Sequence, residues 1–147
     1  MKAQEGKTGR VFVLRLEHGD IIPDCIEEFA TEKRVCSALC VLIAAIGGGR
    51  LVVGPERSDQ RPVQPMFYAL EGVYEAAAIG TIFPAEGGTA RLHMHGALGR
   101  DGVARTGCVR PGIEVWEIGE AVIIEIVGID MVRKADPSTG FELLSGE

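Results

Sequence analysis

Aromatic residues are scarce in this chain: five Phe, two Tyr and a single Trp make up 5% of its 147 residues. A core must therefore be built from Val, Ile, Leu and Ala. Basic residues are also short, with 15 Lys and Arg against 21 Asp and Glu and a net charge of −6. Binding nucleic acid by neutralising phosphates needs a basic surface, and no basic run here exceeds the pairs Lys33-Arg34 and Arg133-Lys134. Long apolar runs are missing too. The longest, Val35 to Ile46, is interrupted by two cysteines and a serine and falls short of the ~20 residues that cross a bilayer. The opening, Met1 to Arg10, lacks the apolar centre of a secretory signal. No membrane association and a cytoplasmic location are expected. The three glycines Gly47-Gly48-Gly49 lack the Gly-Lys-Ser/Thr that would make them a phosphate loop, so they read as a turn or bulge.

The four cysteines, Cys25, Cys36, Cys40 and Cys108, do not read as a disulfide framework without a secretion signal. Cys36-x-x-x-Cys40 has spacing that a zinc site can use, but two small residues inside a buried strand is the simpler reading. Cys25 reads the same way, on the apolar side of a helix.

The chain is long enough for one domain with a real core. Residues 1–8 read as a flexible N-terminal tail, and 9–147 as a single domain. Arg10 to Leu16 is a β-branched, largely apolar strand. His18-Gly19 turns the chain, and Asp20 is a candidate N-cap. Ile22, Ile26, Phe29 and Ala30 recur at helical spacing, with Asp24, Glu27, Glu28 and Lys33 on the other face. Pro23 fits only in the first turn of that helix, and Lys33 and Arg34 close it. Ser37 to Ile46 reads as a strand buried on both faces. Arg50–Val53, Phe67–Tyr74, Ala76–Phe83, Ile113–Trp116, Ala121–Val127 and Phe141–Leu144 read as further strands, the last after a turn at Asp136–Gly140. About seven to nine short strands around one helix predict an α+β fold, a mainly antiparallel β-sheet with one principal α-helix.

Chemistry concentrates in Arg91 to Pro111. Two of the three histidines, His93 and His95, lie one residue apart, and Cys108 follows beyond Gly99-Arg100-Asp101-Gly102. Residues two apart on a strand share a face, so Leu92, Met94 and Leu98 point to the core while Arg91, His93, His95 and Ala97 point outward. A two-residue Asp101-Gly102 turn pairs Arg100 with Val103 and sets Cys108 opposite His95. A four-residue Gly99–Gly102 loop sets Cys108 opposite His93 instead. Both registers keep the three side chains on one face, and opposed residues have Cβ atoms ~4.5–5.5 Å apart. A three-residue loop would put Cys108 opposite Met94, on the wrong face. Two imidazoles and a thiolate suit Zn2+ or another divalent transition metal, with the fourth position open to a small-molecule ligand. A bland pair of strand histidines fits the same spacing, and no general base accompanies the three residues.

The hairpin, taken with Gly9-Arg10-Val11-Phe12-Val13-Leu14-Arg15-Leu16-Glu17-His18-Gly19-Asp20, resembles the plant and prokaryote conserved (PPC) domain. His-x-His-x-x-Leu, then Asp-Gly, then Gly-Cys-x-x-x-Gly-x-x-Val, is similar to its central signature. The run ending in Ile46-Gly47 and the Phe67–Gly72 segment fall in the expected order, so the likeness covers nearly all of 9–130. The resemblance implies an antiparallel sheet carrying a helix, a homotrimer, and clustered histidines that look like a metal site near the trimer interface. In plants the domain follows an AT-hook, and the domain itself mainly serves association and partner binding. Prokaryotic members often carry the label "putative DNA-binding protein" by that analogy. This chain has no AT-hook, and Val109-Arg110-Pro111-Gly112 is only a superficial echo of one, which with the acidic balance argues against direct DNA binding. Cys108 stands where the family has a third histidine. That exchange either keeps the zinc site in softer form or marks its loss. Arg15 and Glu17 read as a solvated or structural pair, and His18 as a surface residue. Trp116 is open between core and interface.

Overall fold

The structure, a computed structural model, describes residues 1–146. The chain runs β1 (Lys7–Glu17), β2 (Ile21–Ile22), α1 (Asp24–Glu32), β3 (Ala38–Gly48), β4 (Arg50–Pro55), β5 (Pro65–Ala69), β6 (Tyr74–Pro84), β7 (Ala90–Arg100), β8 (Val103–Val109), β9 (Ile113–Val127), β10 (Val132–Asp136) and β11 (Phe141–Ser145). One antiparallel sheet has the order β1-β9-β3-β6-β7-β8-β4-β5, with β2 attached to β9. The strands β10 and β11 form a separate hairpin. This is the expected α+β fold. No helix among the described residues is long and apolar enough to cross a membrane.

Period-two patterning makes the two faces of the sheet different. Leu16, Cys40, Leu42, Ala44, Ile82, Met94, Leu98, Ala121 and Ile123 are buried on one face, with Ile26 and Ala30 of α1 in the same core. Their neighbours in sequence, among them Val11, Val13, Val41, Ile43 and Ile79, point to the other face and are exposed. Glu27 anchors the helix to the start of β7. Its carboxylate accepts the Leu92 N–H at 2.8 Å and the Arg91 guanidinium at 3.2 Å.

Several local expectations change. Asp20 does not cap α1: its carboxylate accepts the Glu17 N–H at 2.8 Å, closing the turn after β1. Pro23 takes the N-cap position, and Ile22 lies in β2, one step before the helix. Phe67–Tyr74 is broken, because β5 ends at Ala69 and β6 begins at Tyr74. Ile113–Trp116 and Ala121–Val127 are one strand, β9. Between them Glu117 has φ 62, and the pairing with β3 shifts register between Ala44 and Ile46. The polar gap is a bulge inside a strand rather than a turn. The strand β1 starts at Lys7, and ahead of it Gln4 hydrogen-bonds Asp130 while Lys2 reaches Ser145 Oγ at 3.1 Å.

Candidate metal centre

The Asp101-Gly102 turn settles where Cys108 goes. Both residues have positive φ, 51 and 75, as a primed two-residue turn requires. Arg100 then pairs with Val103, and His95 with Cys108. On the other side of β7, Thr81 pairs with His93 and Ile79 with His95. Two glycines let the backbones close up around this hairpin. A Cβ at Gly80 would lie 2.7 Å from the His93 carbonyl, and one at Gly107 would lie 2.6 Å from the Val52 carbonyl. Neither position accepts a side chain without moving main chain, so β6 and β4 hold the hairpin from both sides.

His93, His95 and Cys108 come together on the outward face, with one ligand atom from each within 4.8 Å of the others. The two Nε2 atoms are 3.2 Å apart. A tetrahedron with bonds of about 2.0 Å has an edge of about 3.3 Å, so the imidazoles already match zinc geometry. The thiol sulfur lies within 4.8 Å of both. Both histidines are exposed, whereas Cys108 is buried against β4, where it pairs with Val52.

The electrostatics favour a neutral His93. Burial lowers its pKa first, and the positive charges of Arg133, His95 and Arg110 lower it further. A neutral imidazole is the form that binds a metal. Burial raises the Cys108 thiol, while Arg110 and Arg133 pull it back down. The net effect favours the thiol, which a bound metal ion would deprotonate. The donor set therefore fits a divalent transition metal, with the His93 imidazole favoured in its neutral form and the sulfur shielded.

The other candidates lie elsewhere. Cys40 is buried and Cys36 exposed, and neither joins a group of metal-ligating side chains among the described residues. Burial pushes the Cys40 thiol up to about 12 and the Cys25 thiol up to about 11, as for inert core cysteines. Arg15 and Glu17 pair with each other at the surface. His18 is exposed, and its Nδ1 accepts the Glu117 N–H at 3.2 Å, which helps hold the β9 bulge. Trp116 is 44% exposed, outside the core.

Arg133, absent from the candidates read from sequence, stands beside the site. It is 7% exposed, and its Nη2 donates to Thr81 Oγ1 at 3.0 Å, directly across from His93. In the sequence it is half of an ordinary Arg-Lys pair, with no signal of burial.

The fold is shared with known proteins. No curated protein matches the sequence. Among solved structures, the chain is similar to a "metal-containing protein" from Archaeoglobus fulgidus, with a TM-score of 0.86, 25% identity, and coverage of 99% of this chain and 100% of that one. It is also similar to a plant- and prokaryote-conserved (PPC) protein from Pyrococcus horikoshii, with a TM-score of 0.80, 19% identity and 99% coverage of both chains. A "putative DNA-binding protein" from Bacteroides thetaiotaomicron shares the fold at a TM-score of 0.78 and 19% identity, covering 95% of this chain and 96% of that one. The model of the Plants and Prokaryotes Conserved (PCC) domain matches residues 3–127. With that match spanning most of its length, and with the antiparallel sheet and single helix that the resemblance implied, the chain belongs to the Plants and Prokaryotes Conserved domain family.

Proposed function

We propose that this chain is a metal-binding protein of its family, in which His93, His95 and Cys108 hold Zn2+ or another divalent transition metal. The observation that carries the reading is the convergence of three metal-ligating atoms within 4.8 Å on one sheet face. The "metal-containing" description of the Archaeoglobus fulgidus relative supports it. Three protein ligands leave a fourth position for a small molecule, where a bound divalent ion supplies Lewis acidity. Cys108 in place of histidine makes the donor set softer and shifts preference toward zinc over harder ions.

The assembly proposed is a homotrimer. The family resemblance suggests it, and the exposed apolar face supports association, because Val13, Val41 and Ile79 form one lateral row that ends at His95. The competing reading is a DNA-associated regulatory or oligomerisation module with no metal chemistry. Against its DNA-binding part stand the net charge of −6 and the missing AT-hook.

Elemental analysis of the purified protein separates the two. Near-stoichiometric metal in the wild type, lost in His93→Ala, is the expected result. A metal-free wild type would overturn the reading, and salt-sensitive DNA binding by that metal-free protein would favour its competitor.

A further inference from the structure

The C-terminal hairpin lies beyond residue 127, where the family match ends, and it brings a buried cation to the metal centre. Arg133 on β10 bridges to Ala85, just past the end of β6, and its guanidinium lies 5.7 Å from the Phe83 ring centroid. Its Nη2 is held by Thr81, through Oγ1 at 3.0 Å and the carbonyl at 3.4 Å. Thr81 is the direct cross-strand partner of His93, so the residue that holds the guanidinium pairs with a proposed metal ligand.

Arg133 is not satisfied there. Its Nε is buried and meets no hydrogen-bond acceptor among the described residues. Burying an N–H of a charged group without an acceptor is costly. The opposing charges that act on Arg133 are the exposed Glu142 on β11 and, more weakly, the Cys108 sulfur. A second cation, the exposed Arg110, acts on His93 and Cys108. A dication held by one thiolate beside two guanidiniums leaves the centre with net positive charge. An anion with two oxygens would correct both deficits, one oxygen entering the open metal position and the other accepting from the guanidinium.

We propose that Arg133 is the anion-recognising residue of this centre, and that the small molecule bound there is a carboxylate. This rests on the metal reading above. The test uses the full chain loaded with Co2+, whose thiolate charge-transfer and ligand-field bands report on the donor set, and titrates it with acetate. Acetate is expected to shift the ligand-field bands saturably, while neutral acetamide leaves them unchanged. Arg133→Met should keep the cobalt–thiolate bands but bind acetate at least about 10-fold more weakly, with partial recovery in Arg133→Lys. Thr81→Val, which removes only the hydroxyl aiming the guanidinium, should weaken acetate several-fold, and it carries the comparison if Arg133→Met does not fold. A normal cobalt spectrum with equal acetate affinity in wild type, Arg133→Met and Thr81→Val overturns the assignment and leaves the metal reading standing. Absence of the cobalt–thiolate bands in the wild type overturns the metal reading, and the assignment with it.

Discussion

Among the described residues two charged side chains are buried, Glu125 in the main sheet and Arg133 on the hairpin docked against it, and the two are treated in opposite ways. Glu125 has the inward parity of β9 and is fully partnered. Arg10 donates to it from Nη2 at 2.6 Å, from Nε at 2.8 Å and from its main-chain N at 3.0 Å. Arg133, against the outward face, hydrogen-bonds Thr81 and has a buried Nε with no acceptor among the described residues. A buried ion held by three hydrogen bonds from an opposite charge and its main chain is part of the scaffold. One left with an open donor, beside three atoms able to ligate a metal, is what the proposed anion site draws on. The same division runs through the apolar residues. The inward set packs with α1 into one core, and the outward set is left bare around the histidines.

The comparison can be broken most sharply at the core. Leu98→Ala, at a side chain 1% exposed on the inward face of the very strand that carries His93 and His95, should cost about 3–4 kcal/mol in urea unfolding. A cost below about 1 kcal/mol would mean that β7 is not anchored as described. The Glu125 pair comes next. The guanidinium of Arg10 holds this carboxyl well below its usual range, at about 2. A depressed folded-state value stabilises the fold above the unfolded-state value, and that contribution is lost as pH falls from about 4.5 toward about 2. Glu125→Gln should therefore lower the melting temperature at pH 7 and flatten the acid side of the pH–stability curve. An unchanged curve would count against the pairing. The smallest effect on the fold is expected on the outer face. Ile79→Glu, at a position 58% exposed, should leave the circular dichroism of the chain intact and shift its assembly toward monomer in sedimentation. Unfolding would show that the outer face is needed within one chain, and an unchanged assembly would show that it is not an interface.

Much of the site was legible in the sequence because it depends on local rules. The period of two puts His93 and His95 on one face, and Asp101-Gly102 is a turn sequence whose positive φ values fix the register to Cys108. The sequence left two registers open, and only the folded hairpin selects the pairing with His95. What was not legible depends on distant contacts. The strand β10 has the pattern Val-Arg-Lys-Ala-Asp, without an apolar alternation, and it forms because it pairs with β11. Arg133 gains its role only when that hairpin docks beside Thr81, some fifty residues earlier in the chain. The β9 bulge was misread for a related reason. Glu117 takes a positive φ, yet β3 pairs with the strand on both sides of it, through Val115 and Gly119.

The central claim is that His93, His95 and Cys108 hold one metal ion. Anomalous diffraction from crystals of the protein purified without chelator, collected on either side of the zinc edge, tests it most directly. The account predicts a single anomalous peak at about 2.0–2.1 Å from the Nε2 atoms of His93 and His95 and about 2.3 Å from the Cys108 Sγ. Two imidazoles hydrogen-bonded to each other, with no anomalous density between them and the sulfur even after soaking in zinc, would contradict it.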